Sequence, residues 1–228
     1  MAWLRTLVFN VFFYVGSLFL VLLCFPALIF PGGVKYPPQW WSTWHRWCVT
    51  GILGIKIVVD GEIPAGQKLY AVKHESFFEA IDSPHLSGGP IVPFGKIQLL
   101  SIPLWGQAAR HYGVIGVDRE AGAKALRSMG RQAAGLKKEG RDFLLFPEGT
   151  RVGHGERGKI QSGLYGIYKL LGLPIVPIAV NSGPLYQPSP KRRGTITYKV
   201  GETIPPGLSR DEVEARVFEA INALNPQE

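Results

Sequence analysis

The sequence predicts an α/β fold: a single domain with a largely parallel or mixed sheet flanked by helices, preceded by an N-terminal membrane-embedded helical segment. The stretch 7–30 holds no charged residue, short β-rich runs begin after residue 51, and amphipathic helical patterns then alternate with apolar runs. Because 228 residues suffice for one sizeable core, we place a membrane-anchoring segment at 1–50 and one α/β domain at 51–228.

The apolar N-terminal stretch indicates contact with a lipid bilayer. As a helix rising about 1.5 Å per residue, 7–30 would be long enough to cross a hydrocarbon layer of about 30 Å. A secretory signal peptide is the alternative, since Arg5 precedes the stretch, but no small-x-small cleavage site ends it. Pro26 and Pro31 interrupt its far end, so a single span and a re-entrant or interfacial helix pair both remain open.

Tryptophans cluster directly after this stretch. Trp40, Trp44 and Trp47 share one helical face, and His45 and Arg46 alternate with them. The pattern is typical of a helix at the lipid headgroup boundary, and an aromatic core helix is the alternative. More Lys and Arg residues follow the apolar stretch than precede it, which places the globular part on the cytoplasmic side of the membrane.

The charge distribution argues against a nucleic-acid partner. The net charge is +8, with four basic residues and no acidic residue in 1–59, the same end that is apolar. Lys191-Arg192-Arg193 is the only dense basic run, and no helix carries a basic stripe interleaved with aromatic residues. Anionic lipid therefore explains the asymmetry better than DNA or RNA. Cys24 and Cys48 are too few for a disulfide framework, which favours a reducing compartment.

Alternating strands and helices fill the remainder of the chain. Each predicted strand is a short apolar run bounded by turn residues, and each predicted helix has apolar residues on one face. Strands are predicted at 52–61, 68–73, 143–146, 174–180 and 195–200, and helices at 118–139, 162–171 and 209–224.

His74 and Glu79 follow the second predicted strand at a spacing of five residues. On a continuous helix, such positions point about 140° apart. Pairing therefore requires His74 in the turn before a helix and Glu79 in its first turns. The carboxylate would then hold one imidazole nitrogen and leave the other as a general base. A solvated histidine near an exposed helical glutamate is the plain alternative.

Two further apolar runs each end in an arginine. Gly113-Val114-Ile115-Gly116-Val117-Asp118-Arg119 ends the first, and Phe146-Pro147-Glu148-Gly149-Thr150-Arg151 ends the second. Ligands bind at the carboxyl ends of strands in open α/β sheets, and a guanidinium there suits a phosphate. Each run by itself fits a turn with a surface ion pair equally well.

Together with Pro174-Ile175-Val176-Pro177, these blocks resemble the glycerolipid acyltransferase family, in particular its bacterial 1-acyl-glycerol-3-phosphate acyltransferases. The resemblance spans about 68–180 and preserves the order of the four blocks. This chain departs from the family at two points. Its first block ends in Glu79 where the family usually has Asp, with Asp82 nearby at a different spacing. It also has Lys96-Ile97-Gln98-Leu99 where the family often shows K-x-E-L.

The resemblance implies transfer of a fatty acyl group from acyl-CoA or acyl carrier protein to the sn-2 hydroxyl of lysophosphatidic acid, giving phosphatidic acid at a bacterial inner membrane. His74 would be the base and Glu79 would orient it, with no metal and no cofactor beyond the acyl thioester. The implied phosphate-binding and supporting residues are Lys96, Gly113, Asp118, Arg119, Glu148, Gly149, Thr150 and Arg151. Among these, Asp118 and Glu148 would fix their loops or arginines, and Gly113 would serve the turn.

The sequence is also compatible with other functions. The chain lacks HExxH and G-x-S-x-G motifs, which argues against a zinc hydrolase and a serine hydrolase. An acyltransferase for another lysolipid, such as a lyso-ornithine lipid or a lysophospholipid, fits the same motifs. A non-catalytic membrane protein that binds lipid is a third interpretation. An acidic carrier protein or membrane phosphate could dock on the basic stretch 124–138.

Overall fold

The computed structural model describes residues 1–27, 36–118 and 122–225, with the backbone alone at 27 and 122–126. The predicted interruption at Pro31 therefore lies outside the described residues. Its helices are α1 (Ala2–Ala27), α2 (Tyr36–Trp47), α3 (Phe77–Asp82), α4 (Pro84–Ser87), α5 (Trp105–Tyr112), α6 (Gly122–Lys138), α7 (Gly163–Leu171), α8 (Gly183–Tyr186) and α9 (Arg210–Ile221). A π-helical segment at Cys48–Leu53 follows α2, and a 3-10 helix occupies Ile97–Ser101.

The described part of the chain forms a mixed sheet of seven strands. They are β1 (Ile55–Asp60), β2 (Leu69–Val72), β3 (Val92–Lys96), β4 (Ile115–Val117), β5 (Phe143–Leu145), β6 (Ile175–Val180) and β7 (Gly194–Val200). Their order is β1-β7-β6-β2-β5-β3-β4, and β6 with β7 is the antiparallel pair. The remaining pairs are parallel, so the predicted α/β fold with a mixed sheet is confirmed.

Strand β2 lies between β5 and β6 and is buried on both faces. Successive side chains of a strand point to opposite faces. Leu69 and Ala71 accordingly join a core layer with helices α7 and α9, whereas Tyr70 and Val72 join a second layer. That second layer includes Phe9 of α1. The N-terminal segment thus packs directly against the sheet that carries the predicted site.

Helices α1 and α2 form a pair that is only partly covered. Trp41 Nε1 donates to Ser17 Oγ over 2.8 Å, and Trp44 lies against Gly16, where any larger side chain would collide with the indole. Trp40 and Trp47 are about half exposed. By length and composition α1 could cross a membrane, and only 17% of its most apolar 18-residue window is buried within the protein. Much of the remaining apolar surface of α1 is exposed.

His45 of α2 lies in the apolar layer beneath these helices. It is fully buried among Phe9, Phe13 and Phe78, and its Nε2 is 2.9 Å from Tyr186 Oη. Burial lowers the pKa of His45 to about 4, because a charged imidazole would be poorly solvated there. His45 is therefore neutral in the folded protein at neutral pH.

Acidification is expected to weaken the docking of α2 through His45. His45 takes up a proton near pH 6.5 in the unfolded chain and only near pH 4 in the folded chain. The contribution of neutral His45 to the free energy of unfolding is therefore complete above pH 6.5 and is lost as the pH falls toward 4. The full effect is up to about 3 kcal/mol. Thermal unfolding of the detergent-purified protein between pH 7 and 4 measures it. His45→Gln should lose less stability over this range, and equal losses in both proteins would contradict the assignment.

Candidate active site

His74 and Glu79 lie on either side of the start of α3, as their spacing requires. His74 is in the turn between β2 and α3, and Glu79 is in the first helical turn. His74 Nδ1 is 3.0 Å from Glu79 Oε1. The Glu79 side chain is fully buried, whereas the imidazole is 17% exposed. The ring is therefore held from the protein side and open toward solvent.

The Glu79 carboxylate is fixed by hydroxyl and backbone donors. Oε1 also accepts from the Ser76 backbone N–H over 2.6 Å, which forms a capping box at the start of α3. Oε2 accepts from Ser76 Oγ over 3.1 Å and from Ser182 Oγ over 2.6 Å. Ser182 follows β6, the strand beside β2, and sequence analysis did not identify it. These contacts fix the carboxylate that orients the imidazole.

The 146–151 loop supports His74 from the other side. The Phe146 ring stacks on the imidazole at a centroid distance of 4.1 Å. The His74 backbone N–H donates to Glu148 Oε2 over 3.0 Å, and the His74 carbonyl accepts from Val152 N over 2.8 Å. Since Glu79 occupies Nδ1, Nε2 is the ring nitrogen left for proton transfer.

A buried lysine, Lys73, joins the turn that carries His74 to the 146–151 loop. Lys73 Nζ donates to Glu148 Oε1 over 2.9 Å, to Asn222 Oδ1 over 3.0 Å and to the Glu156 carbonyl over 3.1 Å. These bonds use all three ammonium donors. Glu148 is itself buried and bound to Lys73 and His74, so its contacts are with the protein framework.

Arg151 lies beside the histidine. Gly149 has φ +68°, a backbone conformation that glycine tolerates best, and its N–H donates to the Phe146 carbonyl in the tight turn. Thr150 and Arg151 follow as exposed residues. The Arg151 guanidinium lies 4.2 Å above the ring of Phe77, three residues after His74. A cation thus stands at the edge of the histidine site.

A cavity of about 290 Å³ adjoins Arg151 and contains a second histidine–carboxylate pair. His154 Nδ1 is 2.9 Å from Glu75 Oε1, and the Gly183 N–H donates to Glu75 Oε2 over 2.8 Å. Burial raises the pKa of Glu75, although both hydrogen bonds favour its charged form. No local pattern in the sequence identifies this pair, because its members are 79 positions apart.

The remaining predicted residues are spread along the sheet edge. Lys96 is the exposed last residue of β3 and Asp118 directly follows β4, so both lie at the carboxyl edge with His74. Arg119 lies outside the described residues. Gly113 precedes β4 at the opposite edge, with φ +105°, and a Cβ there would lie 2.7 Å from Arg141 Nη1. The structure thus places Gly113 in a turn, at the edge of the sheet opposite His74.

Asp82 has a separate structural role. Its two carboxylate oxygens accept from Arg46 Nε over 2.7 Å and from Tyr198 Oη over 3.1 Å, in a buried cluster that joins α2 to β7. It therefore does not replace Glu79 as the partner of His74. Among the described residues, no cluster of three or more His, Cys, Asp or Glu side chains could hold a metal ion.

Comparisons with known proteins identify the family of this chain. A family model described as Acyltransferase matches residues 55–181, from β1 to just beyond β6. The 1-acyl-sn-glycerol-3-phosphate acyltransferase of Pseudomonas aeruginosa is 30% identical over 215 residues, which cover 88% of this chain and 82% of that protein. The human 1-acyl-sn-glycerol-3-phosphate acyltransferase alpha is 29% identical over 171 residues, which cover 72% of this chain and 60% of that protein.

The fold also matches a solved structure. The crystal structure of the 1-acyl-sn-glycerophosphate (LPA) acyltransferase PlsC from Thermotoga maritima has a TM-score of 0.73 to this chain at 21% identity. The match covers 98% of this chain and 95% of that one. The family resemblance drawn from the four sequence blocks is confirmed. The chain belongs to the Acyltransferase family.

Proposed function

We propose that this protein transfers a fatty acyl group from an acyl thioester to the sn-2 hydroxyl of 1-acylglycerol-3-phosphate, which yields phosphatidic acid. The observation that carries the proposal is a buried carboxylate holding an accessible imidazole, with a cavity beside it that Arg151 and the His154–Glu75 pair line. Relatives named for this activity support it. Acyl-CoA or acyl carrier protein would supply the acyl group, with no other cofactor.

The proposed chemistry uses both nitrogens of His74. Nε2 takes the proton of the acceptor hydroxyl while that oxygen attacks the thioester carbonyl carbon. The tetrahedral intermediate then collapses, the C–S bond breaks, and the departing thiolate takes the proton back from Nε2. Glu79 holds Nδ1–H throughout and stabilises the imidazolium, because its buried carboxylate lies 3.0 Å away.

The cavity beside Arg151 is the proposed phosphate site. The Arg151 guanidinium can donate two parallel hydrogen bonds to phosphate oxygens. His154, held by Glu75 through Nδ1, presents its Nε2 edge as a second donor when protonated. Thr150 remains a candidate donor in the same loop, whereas the Gly149 N–H already donates to the Phe146 carbonyl. Lys96, Asp118 and Arg119 remain candidates at the neighbouring strand ends.

The exposed apolar face of α1 supports action at a membrane. Val11, Leu18, Phe19 and Leu22 of this helix are each about half exposed or more. In a bilayer interface such a surface would contact lipid chains, so an acceptor could reach His74 without leaving the membrane. We place the enzyme on the cytoplasmic face, where acyl thioesters are made. More Lys and Arg residues follow the apolar stretch than precede it, which favours the same side.

The proposal is tested by thiol release from acyl-CoA and acyl carrier protein with defined lysolipids, with the product identified by mass spectrometry. Wild type should convert lysophosphatidic acid to phosphatidic acid. Arg151→Gln should raise KM for lysophosphatidic acid about 10- to 100-fold and change kcat less, because hydrogen bonds to charged groups contribute about 1.5–3 kcal/mol. The control Arg210→Gln removes an exposed, ion-paired arginine and should leave KM unchanged.

Other outcomes separate the alternatives. If lysophosphatidic acid is inert and another lysolipid reacts, the enzyme class stands and the proposed substrate is wrong. If no acceptor reacts with either donor, the chain is better explained as a lipid-binding protein.

A further inference from the structure

A second cavity, of about 410 Å³, lies where the first turn of α1 meets the loop between α8 and β7. Four of its lining residues are basic: Arg5, Lys191, Arg192 and Arg193. No acidic side chain lines it among the described residues. The cavity contains the dense basic run of the sequence, which the acyl-transfer site does not use. We call it the basic pocket.

The charges of the basic pocket lack carboxylate partners within the described part of the protein. None of its four basic side chains forms an ion pair with a described carboxylate, whereas Arg46, Arg157, Arg210 and Arg216 each do. Arg5 Nε is buried without a hydrogen-bond acceptor. Because no carboxylate balances these four basic side chains, an anion in the pocket would be stabilising.

The pocket is held in place by the surrounding structure. The Lys191 N–H donates to Thr6 Oγ1 of α1 over 2.9 Å, and the Arg192 N–H donates to the Leu185 carbonyl over 2.9 Å. Lys191 Nζ donates to the Tyr186 carbonyl and lies 4.0 Å above the Tyr186 ring. Burial lowers the pKa of Lys191, which means that its charge is poorly solvated. A preformed site of this kind binds an anion with little ordering cost.

The neighbouring surface identifies the kind of anion. Met1, directly before α1, and Phe12 of α1 lie on the same helical face as Arg5, four residues before it and seven after it, and both are exposed. A soluble phosphate would use the basic residues and leave this apolar surface uncovered. A ligand with a phosphate head and hydrocarbon chains satisfies both features. We propose that the basic pocket binds the phosphate headgroup of an anionic phospholipid, with its acyl chains along the exposed face of α1.

This site is distinct from the proposed acceptor site. Helix α8 contributes Gly183 to the cavity beside His154, while the loop that follows α8, from Pro188 to Arg193, lines the basic pocket. The lipid bound there would be a neighbour that anchors the enzyme and not the molecule that is acylated. The two sites can therefore be tested independently.

The test measures lipid binding to the full-length protein in dodecyl maltoside micelles. Dioleoyl phosphatidylglycerol and dioleoyl phosphatidylcholine are titrated separately, and inorganic phosphate is used as a competitor. Wild type should bind phosphatidylglycerol at least tenfold more tightly than phosphatidylcholine. The double variant Arg192→Gln/Arg193→Gln, and separately Arg5→Gln, should reduce that preference to less than threefold. Lys199→Gln, an exposed charge on β7 outside the pocket, should leave it unchanged.

Three results would overturn the proposal. Equal binding of the two lipids would show that the pocket does not select a charge. An equal loss in Lys199→Gln would assign the preference to overall charge. If inorganic phosphate displaces phosphatidylglycerol at the same concentration at which phosphatidylglycerol binds, the pocket would be a site for soluble phosphate. Acylation of lysophosphatidic acid by the Arg192→Gln/Arg193→Gln variant confirms that it is folded.

Discussion

Replacement of His74 by Ala is expected to lower kcat by a factor of about 10²–10⁴, the usual contribution of a positioned general base. KM for the acceptor should change little, because the proposed phosphate contacts come from the neighbouring loop. Thiol release under saturating lysophosphatidic acid measures the effect. His111→Ala is the matched control, since His111 lies exposed on α5 and bonds the Gln107 carbonyl. More than a tenth of wild-type kcat in His74→Ala would remove His74 from the mechanism.

Substitutions of Glu79 are also expected to lower kcat, by an amount that depends on the residue introduced. Glu79→Gln removes the charge that stabilises the imidazolium, so kcat should fall on the order of 10²-fold or more. Glu79→Asp keeps the charge on a side chain one methylene shorter and should retain more activity than Glu79→Gln. Ser182→Ala removes one of the donors to Oε2 and should cost less than either. Equal activity in the Gln and Asp variants would show that the charge of Glu79 is not used.

Local patterns in the sequence predicted much of the fold. The strand at β6 and the helix at α7 begin and end within one residue of their predicted bounds, since each is an apolar or amphipathic run between turn residues. The His74–Glu79 pair was predicted from the resemblance of its sequence block, and the five-residue spacing placed it at a strand-to-helix turn. Helix α3 was expected there only as a condition of that pairing, and α4 was not predicted, since neither helix is long enough to show a helical period.

The missed parts of the site depend on contacts between distant residues. Ser182 reaches Glu79 across 103 residues, and Lys73 reaches Asn222 across 149. From the sequence alone, Lys73 is expected to be an exposed polar residue at the end of a strand. In the structure it is fully buried. No periodicity or spacing reports such pairs, because only the strand order of the sheet brings them together. The layer that α1 and α2 build against β2 was missed for the same reason.

Lys73→Met is expected to lower the free energy of unfolding by about 3–5 kcal/mol, the usual cost of breaking a buried ion pair by removing one partner. The variant leaves the Glu148 carboxylate buried and also leaves Asn222 Oδ1 and the Glu156 carbonyl without the Lys73 donor. Circular dichroism during urea titration in dodecyl maltoside measures the change. Lys169→Met is the control, because this exposed lysine on α7 should shift stability by less than about 0.5 kcal/mol.

A second substitution separates the ion pair from general damage to the core. In Lys73→Met/Glu148→Gln the unpaired charge is gone and the amide oxygen can still accept the His74 N–H. The double variant should therefore be more stable than the two single losses added together predict, with a coupling of about 1–3 kcal/mol. Additive losses would show that Lys73 stabilises the fold independently of Glu148, through its packing and its other hydrogen bonds. A positive coupling would mean that the ion pair with Lys73 offsets the cost of burying the Glu148 side chain beneath the histidine loop.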